Sequence, residues 1–286
     1  MKANNNIHED EIQILGGSTS NKQTKKSKNN SKIIIFCIIV AILVAGIITA
    51  TYLSINTEED KEIPISTVTV SQEMNTKETS YVEVFEETVN DVPLYVYVPH
   101  NIKIELTASR PDANDQNIVF ATQAADIAAD GESIVGDFVL AGKQLAKGKG
   151  KQGFCAIIGD QVSIGVDTST PLLDEAIQNN GYFFRQYPLV ANGKMVENKP
   201  KGKTIRRAIG KRNNTIVIVE SRSRESFYDF AQSLVDIGVT DAIYLVGGNA
   251  YGWYQDIDGK QNIFGSTDSD IVKSPNYIVF KKQNTP

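Results

Sequence analysis

TIVIVESRSRESFYDFAQSLVDIGVTDAIYLVGGNA, Thr215 to Ala250, is the stretch that decides the architecture of this chain. It opens on an apolar run ending at Glu220, places Phe227, Phe230, Ala231, Leu234 and Val235 at helical spacing, and closes on the apolar run AIYLV. Short runs rich in Ile and Val read as buried strands, and the i, i+3, i+4 pattern between them reads as an amphipathic helix. That helix is expected over Arg224 to Ile237, with Ser223 as its cap and Gly238 at its end. The second strand runs into Gly247-Gly248, and adjacent glycines let a backbone approach a ligand or take up positive φ. Such a strand end reads either as a tight turn or as the floor of a binding site.

Outward from this strand-helix-strand unit, strands dominate. Tyr81–Val89, Val92–Val98 and Ile102–Leu106 alternate at period two between Asn, Asp and Pro turns. Asn117–Asp130 is divided between an Ile-Val-Phe start that favours strand and alanines that favour helix. Ser133–Lys143 reads as a strand interrupted at Gly136, and KGKGKQG after it as a solvated loop. Phe154–Val166 reads as a hairpin turning at Gly159-Asp160, and PLLDEAIQNNG as a short helix ending at Gly181. GYFFRQYPLV, TIRRAIG and a final NYIVF complete the strand set. The expectation is an α+β domain of mixed β-sheets with few flanking helices.

The amino-terminal part is different in kind. Ile33 to Leu53 is 21 residues without a charge, which as a helix spans roughly 31 Å at about 1.5 Å per residue, the thickness of a bilayer core. Lys22, Lys25, Lys26, Lys28 and Lys32 precede it and Glu58, Glu59, Asp60 and Glu62 follow. Positive charge stays inside, so residues 1–32 are expected to form a disordered cytoplasmic tail, 33–53 a transmembrane anchor in the lipid bilayer, 54–80 a polar stalk, and 81–286 a domain outside the membrane, periplasmic or extracellular. A cleaved signal peptide has a shorter apolar region with small residues just after it, and a buried core helix keeps a polar face.

Charge and rare residues then narrow the chemistry. The chain carries −5 overall; the first 32 residues, with six lysines and three acids, carry +3, which leaves −8 for the exported part. Nucleic acid is not expected as a partner, because a phosphate backbone needs a cationic surface. Beyond the anchor there is one histidine, His100, and one cysteine, Cys155. No histidine-based metal centre and no disulfide within the domain are expected, and no cofactor is implied. His100 reads as a surface residue at a strand end, Cys155 as core packing, and Asp256–Gly259 as a turn rather than a calcium loop.

Carboxylates, arginines and glycine turns remain. Gly136-Asp137, Arg206-Arg207 and Glu220 each put an acid or base at a strand end, where side chains can converge over a cleft. Taken singly, Asp137 also fits a solvated turn acid, the arginines a paired surface, and Glu220 a helix-entry residue.

The order SIVGDFVLAGK, PLVANGK, RRAIG, TIVIVESR, long helix, AIYLVGGNA and SPNYIVF resembles the phosphodiester glycosidase family over about Val92 to Phe280. The family's Asn-Gly-Asp/Gly-Phe-Phe turn falls on Val135–Val139, its Arg-Thr-Ala-Ile-Gly strand on Arg206–Gly210, and its strand-ending Asp-Gly-Arg on Glu220–Arg222. Its Leu-Asp-Gly-Gly-Gly-Ser turn falls on Leu245–Ala250 and its late Asn on Asn276. The resemblance implies hydrolysis of a sugar-1-phosphodiester, with a carbohydrate or sugar-phosphodiester as partner. Asp137, Arg206 and Glu220 are the implied catalytic residues, and Gly136, Arg207, Gly247, Gly248, Asn249 and Asn276 the implied substrate contacts. Arg206 would clamp the departing phosphate, helped by Arg207 or by Lys147, Lys149 and Lys151.

Three positions depart from the pattern. Val135 replaces the Asn of the first turn, Val246 the Asp of the glycine turn, and Ala250 its Ser. A valine side chain neither accepts a proton nor bonds a hydroxyl. Either the polar groups are rearranged, with Asn249 as a candidate, or the domain is a catalytically inactive module that binds glycans or glycan phosphates of the cell envelope. A purely structural envelope protein is a third reading, supported only by the anchor.

Overall fold

The computed structural model describes residues 66–69, 79–267 and 276–283. The expected tail and anchor lie outside these residues, as does most of the expected stalk; among the described residues no helix is long and apolar enough to cross a membrane. The described chain forms three sheets and two helices. The first sheet runs in the order β1 (Ser66–Thr69), β9 (Gln161–Val166), β8 (Gly153–Ile158), β10 (Tyr182–Gln186), β6 (Phe138–Leu140) and β7 (Lys143–Ala146). In the second the order is β12 (Lys194–Met195), β11 (Pro188–Ala191), β15 (Val239–Leu245), β13 (Arg207–Arg212), β14 (Thr215–Ser221), β3 (Val92–His100) and β2 (Tyr81–Val89). The third consists of β17 (Gln261–Phe264), β16 (Gly252–Gln255), β5 (Ile118–Gln123), β18 (Tyr277–Lys282) and β4 (Ile102–Thr107). The helices are α1 (Leu172–Gln178) and α2 (Phe227–Asp236).

Alternation along the strands builds the interior. Ile209, Ile216, Ile218, Ile243 and Leu245 of the second sheet meet Phe138, Cys155, Ile157 and Phe184 of the first and Ile104, Phe120, Ile278 and Phe280 of the third in one apolar cluster. The alternate residues of the second sheet, Ala208, Val217, Val219 and Ala242, pack under Phe227, Phe230, Ala231 and Leu234 of α2. On the outer face of the first sheet Val139, Phe154, Ala156 and Phe183 meet Ala176 of α1. Two hairpins turn on residue pairs with both φ positive, Asn90-Asp91 and Asn213-Asn214, the geometry that matches strand twist and that Asn and Asp tolerate best.

Several sequence expectations are corrected. The sheets are not mixed: every strand pairing among the described residues is antiparallel. The helix between β14 and β15 carries the chain over β13, which lies between them, so these two like-directed strands never bond each other. Residues 66–69, expected in the stalk, pair with β9 as an edge strand. Within Asn117–Asp130 only Ile118–Gln123 is strand, β5, buried on both faces, which is why it shows no alternation; the residues after it form a loop and not a helix. GYFFRQYPLV is two strands in two sheets, broken where the Gln186 side-chain oxygen accepts the Tyr187 N–H at 3.0 Å and takes it out of the ladder.

Helix α2 starts later than expected. Ser226, not Ser223, is its cap, its hydroxyl oxygen accepting the Asp229 N–H at 3.0 Å. Glu225 is held outside the helix by two backbone bonds with Thr204. The hairpin of β16 and β17 went unread in the sequence, although Asp256–Gly259 is the turn that joins it: the Asp256 carboxylate accepts the N–H groups of Asp258 and Lys260.

Candidate functional site

Period two separates the neighbouring arginines at the start of β13. Arg207 falls in register with Ile209 on the interior side, whereas Arg206 falls with Ala208 on the α2 side. Arg207 pairs across the sheet with Glu220 on one side and Leu245 on the other, and Glu220 pairs with Tyr95. Tyr95, Glu220, Arg207 and Leu245 therefore stand in one row across β3, β14, β13 and β15. Side chains directly opposite on neighbouring strands are within reach of each other.

Arg207 is 1% exposed and Glu220 7%. Arg207 Nε donates to Glu220 Oε2 at 2.6 Å, and Nη2 donates to the same oxygen. Its Nη1 donates to Thr122 Oγ1 at 2.7 Å and to the Val246 carbonyl at 3.0 Å, tying the second sheet to the third and to the glycine turn. Glu220 Oε1 takes no hydrogen bond among the described residues. Around the pair lie the Phe264 ring, 4.3 Å under the guanidinium, and the Tyr97 and Tyr254 rings, 5.3 Å apart. Burial pushes the Tyr97 hydroxyl well above the usual tyrosine range; the Glu220 charge pushes the same way and Arg207 opposes. Burial also raises Tyr254, aided by Asp256 and Tyr95. An acceptor carboxylate oxygen without a partner, beside neutral phenols, can approach an electron-poor carbon or a water.

Arg206 does not join this row. Its Nε donates to the Glu225 carbonyl at 3.0 Å and Nη2 to the Gly202 carbonyl at 2.8 Å, and its guanidinium lies 4.0 Å over the Phe227 ring. It braces the segment before β13 against the one before α2. In the glycine turn Gly248 N–H donates to the Ile205 carbonyl at 2.8 Å with φ +62°, and a Cβ on Gly247 would strike that same carbonyl oxygen. The turn thus needs Gly247 for close packing against Ile205 and Gly248 for its positive φ, while Asn249 beside them is exposed.

Asp137 is placed elsewhere again. It follows Gly136, whose φ is +98°, and falls with Val139 on the outer face of the first sheet, the face away from Glu220. Arg185 Nε donates to Asp137 Oδ2 at 2.7 Å, while Gly148 N–H and Gln144 Nε2 donate to Oδ1 at 3.0 and 3.3 Å. The remaining Arg185 nitrogens donate to the carbonyls of Asp167 at 2.6 Å and Thr168 at 3.2 Å. Expected as a catalytic carboxylate, Asp137 has both oxygens occupied by Arg185, Gly148 and Gln144. Asn276, expected to read a sugar hydroxyl, is fully buried and grips the backbone of Ala125, accepting its N–H at 2.6 Å and donating to its carbonyl at 3.1 Å.

The Lys/Gly loop is not free. The Gly148 carbonyl accepts the Asp137 N–H at 2.9 Å while the Gly148 N–H donates to the Asp137 carboxylate, and Lys151 is buried, donating to Asp126 and, at 2.8 Å, to Gln186 Oε1. Burial lowers the Lys151 ammonium from the usual lysine range against the stabilising Asp126 charge. Lys147 and Lys149 are exposed. His100, at a strand end as expected, bonds Glu83 at 3.2 Å and stacks on Tyr81, and Cys155 is buried with its thiol pushed up by desolvation. Thr122, Tyr95, Tyr97, Tyr254, Arg185 and Asp126 escaped the sequence reading. Only Tyr95 and Tyr97 had a signal, the alternation of VPLYVYV, which marked a face without saying what it met.

A family model described as phosphodiester glycosidase matches residues 116–281. Among solved structures, the chain is similar to the catalytic domain of zebrafish N-acetylglucosamine-1-phosphodiester alpha-N-acetylglucosaminidase, at 13% identity and TM-score 0.52, covering 77% of this chain and 88% of that one. A hypothetical protein from Synechocystis is similar at 14% identity and TM-score 0.49, covering 77% of this chain and 64% of that one. At 13% identity the likeness to the zebrafish domain is one of fold. No curated protein sequence matches the chain.

Proposed function

The chain belongs to the phosphodiester glycosidase family, and from that premise we propose that it hydrolyses a sugar-1-phosphodiester at the anomeric carbon, releasing the sugar and a phosphomonoester. The observation that carries the reading is Glu220: buried, fixed by Arg207 through Oε2 alone, with Oε1 left to meet a ligand. A phosphate is already a good leaving group, so the demanding part of the reaction is the positive charge that develops on the sugar ring. Glu220 stabilises that centre or takes a proton from the attacking water. Arg207 orients the carboxylate and keeps it an acceptor. Tyr95 and Tyr254 offer ring faces and hydroxyls to the sugar, a surface well suited to its mixed apolar and polar edges. The Gly247-Gly248 backbone and Asn249 border the other side. In this reading Asp137 and Arg206 act by holding the framework.

The domain works outside a membrane, tethered through residues 33–53. Support for this comes from the uncharged run, the lysines before it and the acids after it. The test is the full chain with a phosphodiester of N-acetylglucosamine, following sugar release and, in parallel, thermal shift. Release that Glu220→Gln leaves undiminished would remove Glu220 from the reaction. A thermal shift without release would support the glycan-binding module instead, which Val135 and Val246 favour.

A further inference from the structure

Lys151, Gln186 and Asp126 form a second buried polar group that the proposed reaction has not used. It lies where the chain crosses from the first sheet to the second, between Gln186 of β10 and Pro188 of β11. Lys151 is 5% exposed and Gln186 fully buried, while the Asp126 side chain remains 32% exposed. The Gln186 oxygen accepts from both Lys151 Nζ at 2.8 Å and Tyr187 N at 3.0 Å. Two donors on one atom fix the orientation of the amide, so its nitrogen is the other end. That nitrogen, Nε2, is buried without a hydrogen-bond partner. A buried amide donor left unbonded is destabilising relative to a bonded one. Here it stands beside an ammonium whose remaining face covers the Tyr187 ring at 4.5 Å.

Both donors lie beside Tyr187, whose backbone is at the end of the second sheet that carries Arg207 and whose ring packs against Phe227 on the α2 side. Tyr244 N–H donates to the Tyr187 carbonyl at 2.9 Å, and Leu245, the next residue, pairs with Arg207 on the opposite side of β15. Tyr187 and Arg207 are thus two strand spacings apart, about 10 Å between backbones. The third sheet joins them too, since Thr122 bonds Arg207 and Asp126, four residues further along, bonds Lys151. A fully extended chain covers that interval in at most about 14 Å.

The geometry points to Lys151 and Gln186 as the subsite for the phosphoryl oxygens of the substrate, with Asp126 as the acceptor that an incoming phosphoryl group displaces. An oxyanion supplies acceptors for both the ammonium and the unpartnered amide, whereas Asp126 reaches only the ammonium. Being partly exposed, Asp126 can turn to solvent at small cost; the buried lysine and glutamine cannot. The inference rests on the phosphodiester reading of the site, but binding is measurable without turnover.

The experiment is calorimetric titration of the full chain with inorganic phosphate. Saturable binding is expected, weakened at least about tenfold by Lys151→Met and tightened about tenfold by Asp126→Asn, which removes a competing charge. No saturable binding, equal affinity in Lys151→Met, or weaker binding in Asp126→Asn overturns the subsite. If Lys151→Met does not fold, Asp126→Asn carries the test, since it keeps an acceptor beside the ammonium. Glu220→Gln separates the two proposals: it should bind phosphate like the parent while losing sugar release. Phosphate binding that depends on Lys151 in a chain that cleaves no sugar phosphodiester would leave the subsite standing and remove the reaction. Cleavage with phosphate binding indifferent to Lys151 would do the reverse.

Discussion

Two buried arginine–carboxylate pairs divide this molecule, and they look alike until their hydrogen bonds are followed to the end. Arg185 with Asp137 lies on the outer face of the first sheet, and Arg207 with Glu220 on the inner face of the second. In the first pair both carboxylate oxygens are bonded, and the guanidinium is also committed to backbone carbonyls. In the second, the guanidinium likewise bonds beyond its partner, to Thr122 and the Val246 carbonyl, but both of its bonds to the carboxylate reach one oxygen and the other takes none among the described residues. A fully satisfied buried pair holds strands together, whereas one with unused acceptor capacity can receive a ligand. Burial and pairing do not by themselves mark a site; the leftover valence does.

The strongest attempt to break this comparison is Glu220→Gln, for which kcat per folded molecule is expected to fall about 10³-fold. Gln keeps an acceptor for Arg207, so the protein should remain folded below its melting temperature; full turnover would erase the distinction between the pairs. Asp137→Asn is the counterpart. It should destabilise the fold by about 3 kcal/mol, since Arg185 loses its counter-charge in a buried setting. Turnover per folded molecule should survive, as denaturant unfolding combined with kinetics at low temperature would reveal. A smaller effect is expected from Thr122→Val, which takes one acceptor from Arg207 while the Val246 carbonyl remains. The loss should be about 1.5 kcal/mol, accompanied by reduced kcat if Arg207 orients Glu220. An unchanged melting temperature would show that Arg207 is held without the third sheet. Gln144→Ala, removing the longest of the bonds to Asp137, should cost only about 0.5 kcal/mol and leave activity intact. A large loss there would mean that the outer pair has its own function.

The comparison also shows why the sequence reading selected three candidates that do not meet. Asp137, Arg206 and Glu220 share one description in one dimension, a charged residue at a strand end. In the fold they occupy three surfaces: the outer face of the first sheet, the α2 side of the second, and the interior. Arg207, expected in a helping role, is the arginine that reaches Glu220, and Asn276, expected to face a ligand, is locked onto Ala125. For the fold the sequence was more explicit. The Asn-rich turns, the alternation of β2 to β4 and the helical spacing of α2 were all legible, because each is set by neighbours a few residues away.

What the sequence determined by itself follows from local periodicity. That Arg206 and Arg207 project to opposite sides of their strand is fixed by the two-residue repeat of extended chain. The cross-strand match of Arg207 with Glu220 follows from the two-residue turn at Asn213-Asn214, which sets the register of β13 on β14. Tertiary structure alone decided which of those sides is the shared interior. It also decided that Asp137 finds Arg185, that Thr122 of another sheet completes Arg207, and that Lys151 meets Asp126 rather than water. Those contacts join segments distant along the chain. Hydrophobic burial selects them by packing three sheets against one another, and no repeat along the sequence encodes which faces will touch.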